Sequence, residues 1–107
     1  MSDSVPNRGE VWWMEHPEAG RHPACILTRQ AAIPVLHTLL VAPATSRARG
    51  IPTEVRLGPE DGMPRECVLT LDNVGPVAKA LLTERITRLR PVKLAELCTA
   101  LNLAAGC

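Results

Sequence analysis

The sequence contains no tyrosine and no phenylalanine, so its aromatic content rests on two adjacent residues, Trp12 and Trp13. Stacking against a flat ligand therefore falls to these rings, to histidines or to guanidinium planes. Net charge is equally scarce, at +1 over 107 residues. That excludes a general electrostatic pull toward nucleic acid or a membrane surface, and any binding of anions depends on local placement of cations. Long apolar runs are missing, none approaching the roughly 18 residues of a membrane span. The opening Met-Ser-Asp-Ser-Val-Pro lacks the basic and apolar stretches of a secretory leader. Cys25, Cys67, Cys98 and Cys107 are widely spaced and form no C-x-x-C pair. They read as reduced, mostly buried residues of a cytoplasmic protein, with Cys107 exposed at the terminus. His16, His22 and Cys25 lie close together and His37 follows, but their spacing matches no zinc template. Neither a metal nor another cofactor is expected, nor any membrane association.

What is present suits one small domain. A chain of 107 residues buries a modest core, so a substantial site has to be a surface groove or a dimer interface. Residues 1–7 are polar, contain Pro6, and read as a frayed tail ahead of a single domain over 8–107. Glu10 to Met14 is a short β-rich run in which Val11 and Trp13 share one face and Trp12 the other, so one tryptophan is expected in the core and the other half exposed. Residues 15–23 hold two prolines and a glycine and read as a loop. Apolar strands are expected at 24–28 and 38–42, the second stopped by Pro43; further strands are expected at 53–57, 67–71 and 85–89. The Gly75-Pro76 pair reads as a turn, and 78–82 as a single helical turn. Pro91 opens an amphipathic helix with Leu94, Leu97, Cys98 and Leu101 on its apolar face, ending near Gly106. Short strands, glycine- and proline-rich turns and one terminal helix predict a mainly β fold, a small, strongly bent antiparallel sheet or barrel.

Two polar clusters sit at strand ends. Arg21-His22 immediately precedes the strand at 24–28, and Thr45-Ser46 follows the strand at 38–42, with Arg47 and Arg49 just beyond. If the two strands are neighbours, these ends meet at one rim. Such a cluster suits cleavage of RNA without a metal: a histidine moves protons near neutrality, an arginine fork holds charged phosphate oxygens, and a threonine or serine hydroxyl adds a hydrogen bond. The same residues have ordinary readings too. A histidine before a proline is commonly a solvated loop residue, Thr-Ser after a strand bonds its own backbone, and arginines in a turn form a solvated face.

The order of these motifs resembles the MazF/PemK family of toxin endoribonucleases, from Arg8 to about Leu103. Arg8-Gly9-Glu10-Val11-Trp12-Trp13 is similar to the family's Arg-Gly-acidic-aliphatic-aromatic start, Arg21 to Arg29 to its Arg-Pro-aliphatic strand, and Val41 to Ser46 to its aliphatic strand ending in Thr-Ser or Thr-Thr. Cys67 to Val74 and Leu82 to Leu89 resemble its later strands. The resemblance implies an SH3-like small barrel with a C-terminal helix and a homodimer. It also implies sequence-specific, metal-independent cleavage of single-stranded RNA to 2′,3′-cyclic phosphate and 5′-hydroxyl ends, and neutralisation by a MazE-like antitoxin of a type II toxin–antitoxin system. Thr45 matches the family's catalytic threonine, whereas the catalytic arginine before proline is replaced: His22 precedes Pro23 and Arg21 lies one position earlier. Adjacent strand residues face opposite ways, so three alternatives stand. His22 has taken over proton transfer, Arg21 swings in with His22 assisting, or activity is reduced or lost. Trp13, Arg29, Ser46, Arg47, Arg49 and Arg56 are the remaining candidates for holding RNA.

Two rival functions have distinct signatures. A toxin of the CcdB type shares the fold but binds DNA gyrase through an exposed Trp-Gly-Ile terminus, where this chain ends Ala-Ala-Gly-Cys. An inactive SH3-like interaction module would cleave no RNA at all.

Overall fold

Alternation along the first strand buries side chains on both sides of it. In the computed structural model, which describes residues 5–106, strand β1 spans Glu10–His16. Its Val11 enters one apolar cluster, with Cys25, Ala42, Leu69 and Leu97, while Trp12 enters another, with Ala24, Ile26, Ile33 and Leu39. Trp12 is therefore the core tryptophan and Trp13 is half-buried. Six further strands follow: β2 (Gly20–Ile26), β3 (Thr38–Thr45), β4 (Glu54–Leu57), β5 (Cys67–Thr70), β6 (Gly75–Ala78) and β7 (Leu82–Arg88). They form one antiparallel sheet ordered β4-β5-β3-β2-β1-β7, with β6 paired to β3 off that path. The sheet curls into a half-barrel closed on its inner side by helix α1 (Pro91–Ala105), the small SH3-like barrel with a terminal helix expected from the sequence. None of the described helices is long and apolar enough to cross a membrane.

Three prolines that read as breakers lie in or beside strands. The loop expected over 15–23 is instead a hairpin whose turn is only residues 17–19. Pro17 starts that turn and Gly20 ends it at φ +83°, a left-handed value that suits a three-residue hairpin loop. Pro23 pairs across with Trp13, in the part of β2 where pairing with β3 has ended, so its missing N–H leaves no ladder bond unmade. Pro43 likewise does not stop β3. It falls between residues 38–41, which pair with β6, and Ala44 and Thr45, which pair with β5. The Gly75-Pro76 pair, read as a turn, belongs to β6 at a sheet edge. The expected helical turn at 78–82 is a short 3-10 turn over Lys79–Leu81.

The helix begins at Pro91 as its sequence predicts, and Gly106 caps its end by donating its N–H to Asn102 and Leu103 carbonyls at 3.0 and 3.3 Å. Leu97 and Ala100 are buried, with Leu94, Leu101 and Ala104 packed beside them. Cys98, expected on this face, is exposed, because the seam runs through 94, 97, 101 and 104 and leaves position 98 to one side. Cys25 is buried and burial pushes its thiol up to about 12. Cys67 is half-buried, its thiol raised by burial and by the nearby Asp61 carboxylate. Cys107 and residues 1–4 lie outside the described residues. From residue 5 onward the chain is engaged: Pro6 is buried, and Asn7 donates its N–H to Glu10 Oε1 at 2.8 Å and accepts from Gln30 Nε2 at 2.8 Å.

Candidate functional site at the barrel rim

The site lies where β2 and β3 part company. Their pairing ends at Ala24 and Pro43, after which β3 turns to β5 and leaves the first half of β2 bound to β1 alone. A cleft of about 280 Å³ opens there on the inner side, with Trp13, Arg21, Thr45, Ser46, Arg65 and Cys67 among its lining residues. A second cleft of about 620 Å³ lies on the other side, bounded by Met14, Arg47, Arg49, Thr70, Asp72 and Asn73 among others. His22, Ala44 and Thr45 line both, so they form the ridge between the two, with His22 and Thr45 its polar members. Alternation explains the division. Arg21 shares its face with Glu15, Trp13 and Pro23, whereas His22 pairs with Met14 on the opposite face.

Arg21 is held in place from three directions. Its Nε lies 3.4 Å from Glu15 Oε2, its Nη2 donates to Glu84 Oε1 at 3.1 Å, and its guanidinium sits 4.3 Å above the Trp13 ring. Glu15 is itself anchored by the Thr83 hydroxyl at 2.9 Å. The stacked plane keeps the cation beside the cleft, and both carboxylates are exposed and exchangeable.

The hairpin turn orients His22. Its Nε2 lies 2.6 Å from the Ala19 carbonyl. A carbonyl only accepts, so Nε2 carries a ring proton, and in the neutral imidazole the lone pair is then on Nδ1. His16 braces the same turn by accepting the Glu18 and Ala19 N–H groups on Nδ1 at 3.1 and 3.2 Å. Thr45 Oγ1 accepts the Arg47 N–H at 3.2 Å. That is the local backbone bond its sequence allows, and it leaves the hydroxyl proton available for donation.

The other candidates divide. Ser46, Arg47 and Arg49 stand at the clefts, and Glu54 organises their loop by accepting from the Arg49 and Gly50 N–H groups. Arg29 and Arg56 line neither cleft; Arg56 pairs with Glu66 at 2.9 Å on the surface of β4. Sequence reasoning missed Arg65, which follows Pro64 on the facing wall, and Thr70, Asp72 and Asn73 at the end of β5. The available signal was the one that picked out Thr45-Ser46, polar residues closing an apolar strand.

Two buried carboxylates lie outside both clefts. Burial would raise the Glu10 carboxyl, but hydrogen bonds from Trp12 Nε1, the Asn7 backbone and Arg85 outweigh it and hold the group below the usual glutamate range. Asp61 is lowered in the same way against burial, by the Gly58 N–H and by Arg90. Among the described residues no three His, Cys, Asp or Glu side chains gather as a metal-ligand set.

Known proteins with this sequence pattern and shape form a consistent group. Residues 7–105 match the family model described as PemK-like, MazF-like toxin of type II toxin–antitoxin system. A probable endoribonuclease, MazF5 of Mycobacterium tuberculosis, is 46% identical over 105 residues, covering 97% of this chain and 96% of the relative. An endoribonuclease solved with its cognate antitoxin from a mycobacterial species superposes with a TM-score of 0.86 at 27% identity, over 95% of this chain and 96% of that one. The Mycobacterium tuberculosis toxin MazF-mt6 gives a TM-score of 0.84 at 27% identity, over 91% and 96%.

Proposed function

The chain belongs to the MazF/PemK-like toxin family of type II toxin–antitoxin systems, and on that premise we propose that it is a cytoplasmic endoribonuclease cutting single-stranded RNA across the His22–Thr45 ridge. The observation that carries this reading is the convergence of His22 and Thr45 between two clefts, with Arg21 on one side and Arg47 and Arg49 on the other. A strand laid over the ridge meets cations on both flanks and the reactive groups at its crest.

His22 Nδ1 takes the proton of the ribose 2′-hydroxyl as that oxygen attacks the adjacent phosphorus. The P–O2′ bond forms and the P–O5′ bond breaks, giving a 2′,3′-cyclic phosphate. The departing 5′-oxygen takes a proton from water, which the open clefts admit. Charge on the non-bridging oxygens is met by the Thr45 hydroxyl and by Arg21, which exchanges a carboxylate for phosphate while staying on Trp13. Arginine keeps its proton throughout, so Arg21 binds and stabilises while His22 transfers. Ser46, Arg47 and Arg49 hold the strand; Arg29 and Arg56, away from both clefts, are left without a direct part. The reading treats residues 8–107 as one toxin domain acting as a homodimer and inhibited by a MazE-like antitoxin. Complexes of relatives with cognate antitoxins support that partner.

The test is incubation of purified protein with a long unstructured RNA in EDTA, followed by end-group mapping. Discrete fragments with 2′,3′-cyclic phosphate and 5′-hydroxyl ends are expected. Intact RNA across several substrates refutes the nuclease reading and favours an interaction module.

A further inference from the structure

The second cleft has hydrogen-bonding groups that the cleavage chemistry leaves unused. Thr70 lines it, and its Oγ1 is buried without a hydrogen-bond partner among the described residues. A buried hydroxyl left unbonded costs about 1–3 kcal/mol, so a native structure that keeps one invites a ligand. A turn about χ1 would exchange the methyl and the hydroxyl and offer that bond to a molecule in the cleft. Two residues further on, Asp72 accepts the Thr53 hydroxyl on Oδ2 at 2.6 Å, which fixes the carboxylate and leaves Oδ1 without a partner among the described residues. Asn73 follows at the same wall, with a donor and an acceptor in one planar amide. Glu54, the other acid of this cleft, is already spent on the backbone of the 49–50 turn.

The cleft abuts the scissile ridge and has the chemistry of a base edge. Pairing sets Thr45 beside Val68 and Thr70 beside Glu54, and residues 68 and 70 alternate to the same face, so Thr45 and Thr70 stand on one side of the sheet. Met14 and Ile51 supply apolar walls for the flat part of a ligand. From this we infer that Thr70, Asp72 and Asn73 form a nucleobase subsite that selects a base with an exocyclic amino group over uracil. A carboxylate oxygen accepts from an amino group, as acidic side chains do from cytosine N4. The same oxygen faces repulsion from the paired carbonyls of uracil. The Asn73 amide and the Thr70 hydroxyl then meet the neighbouring acceptors of the base.

This subsite rests on the nuclease reading, but binding tests it separately. Oligoribonucleotides carrying one 2′-deoxy sugar at the scissile position cannot be cut, and each flanking base is varied in turn among the four. Fluorescence anisotropy should show one position where an amino-bearing base binds about tenfold tighter than uracil, the worth of one hydrogen bond to a charged group. Asp72→Asn should erase that preference, and Thr70→Val should weaken it without lowering the melting temperature, because it deletes an unbonded hydroxyl. Thr53→Ala, which removes only the outer support of Asp72, should keep the preference. Equal affinity for all four bases overturns the inference, as does a preference that survives Asp72→Asn. A Thr53→Ala protein that loses the preference as completely as Asp72→Asn also overturns it, since the effect would then be structural. Failure of the nuclease reading would appear differently, as uncut all-ribose oligonucleotides with the base preference intact.

Discussion

Replacing Arg21 with alanine separates the two roles its environment assigns to it. The guanidinium makes ion pairs at 3.4 and 3.1 Å with Glu15 and Glu84, and a ring contact at 4.3 Å with Trp13. All three members of these ion pairs are about half exposed or more. Pairs of that kind are worth about 0–1 kcal/mol each, and the cation–π contact adds about 0.5–1 kcal/mol. Arg21→Ala should therefore cost about 1–2 kcal/mol of stability, a fall in melting temperature on the order of 10 °C. On the proposed mechanism the loss of this donor to the phosphate costs more, about a hundredfold or greater in kcat/KM. The assay is cleavage of a fluorophore–quencher oligoribonucleotide at 25 °C over a range of salt. The logarithmic salt slope should shrink by about 0.7, the share of one phosphate contact on a single strand. Glu84→Gln should move the opposite way, lowering KM because a competitor for the guanidinium has lost its charge. A rate within twofold of the parent, with the salt slope unchanged, would refute the role of Arg21 in holding phosphate.

His22→Ala should lower kcat by about a hundredfold to ten-thousandfold with an unchanged far-ultraviolet spectrum. A variant cutting RNA at the parental rate removes histidine from the chemistry. Gly62 sits at φ +91°, and an added Cβ would lie 2.3 Å from Thr87 Oγ1. Gly62→Ala should therefore destabilise the fold by more than about 2 kcal/mol in urea titration and loosen the Met63–Arg65 wall. The lowered carboxyls of Glu10 and Asp61 contribute stability that is fully present above the ordinary values of about 4.3 and 3.9 and is lost as pH falls through the lower folded-state values. The urea midpoint should stay level from neutrality to about pH 5, then decline, and Glu10→Gln should flatten that decline. An equally steep acid limb in Glu10→Gln would show that Glu10 is not its source.

Elements with a strong period were legible before any coordinates. The helix limits follow from Pro91 and Gly106, and the alternating run at 85–89 lies within β7 except for its last residue. Proline misled at Pro23, Pro43 and Pro76 for one reason. Its cost in a strand depends on whether a neighbouring strand needs its N–H, and that is a property of pairing, not of local sequence. Arg21, His22 and Thr45 were placed at facing strand ends from pattern alone, and the structure does bring them to one rim. Arg65, Thr70, Asp72 and Asn73 escaped notice because strands distant in sequence carry them there: β5 reaches Thr45 only by pairing with β3.

The pairing of β1 with β7 has a consequence for when the molecule comes into being. Glu10 pairs with Arg88, so the sheet edge is closed by strands at opposite ends of the chain. Local hairpins such as β1–β2 can form early, whereas this closure must meet the entropy of a loop spanning most of the domain. Glu84, which clamps Arg21, arrives on that last strand. During synthesis, then, Arg21 meets Glu15 and Trp13 within the first hairpin, and Glu84 joins it only when the last strand docks. The full set of carboxylates around Arg21 is complete only with the C-terminal third in place.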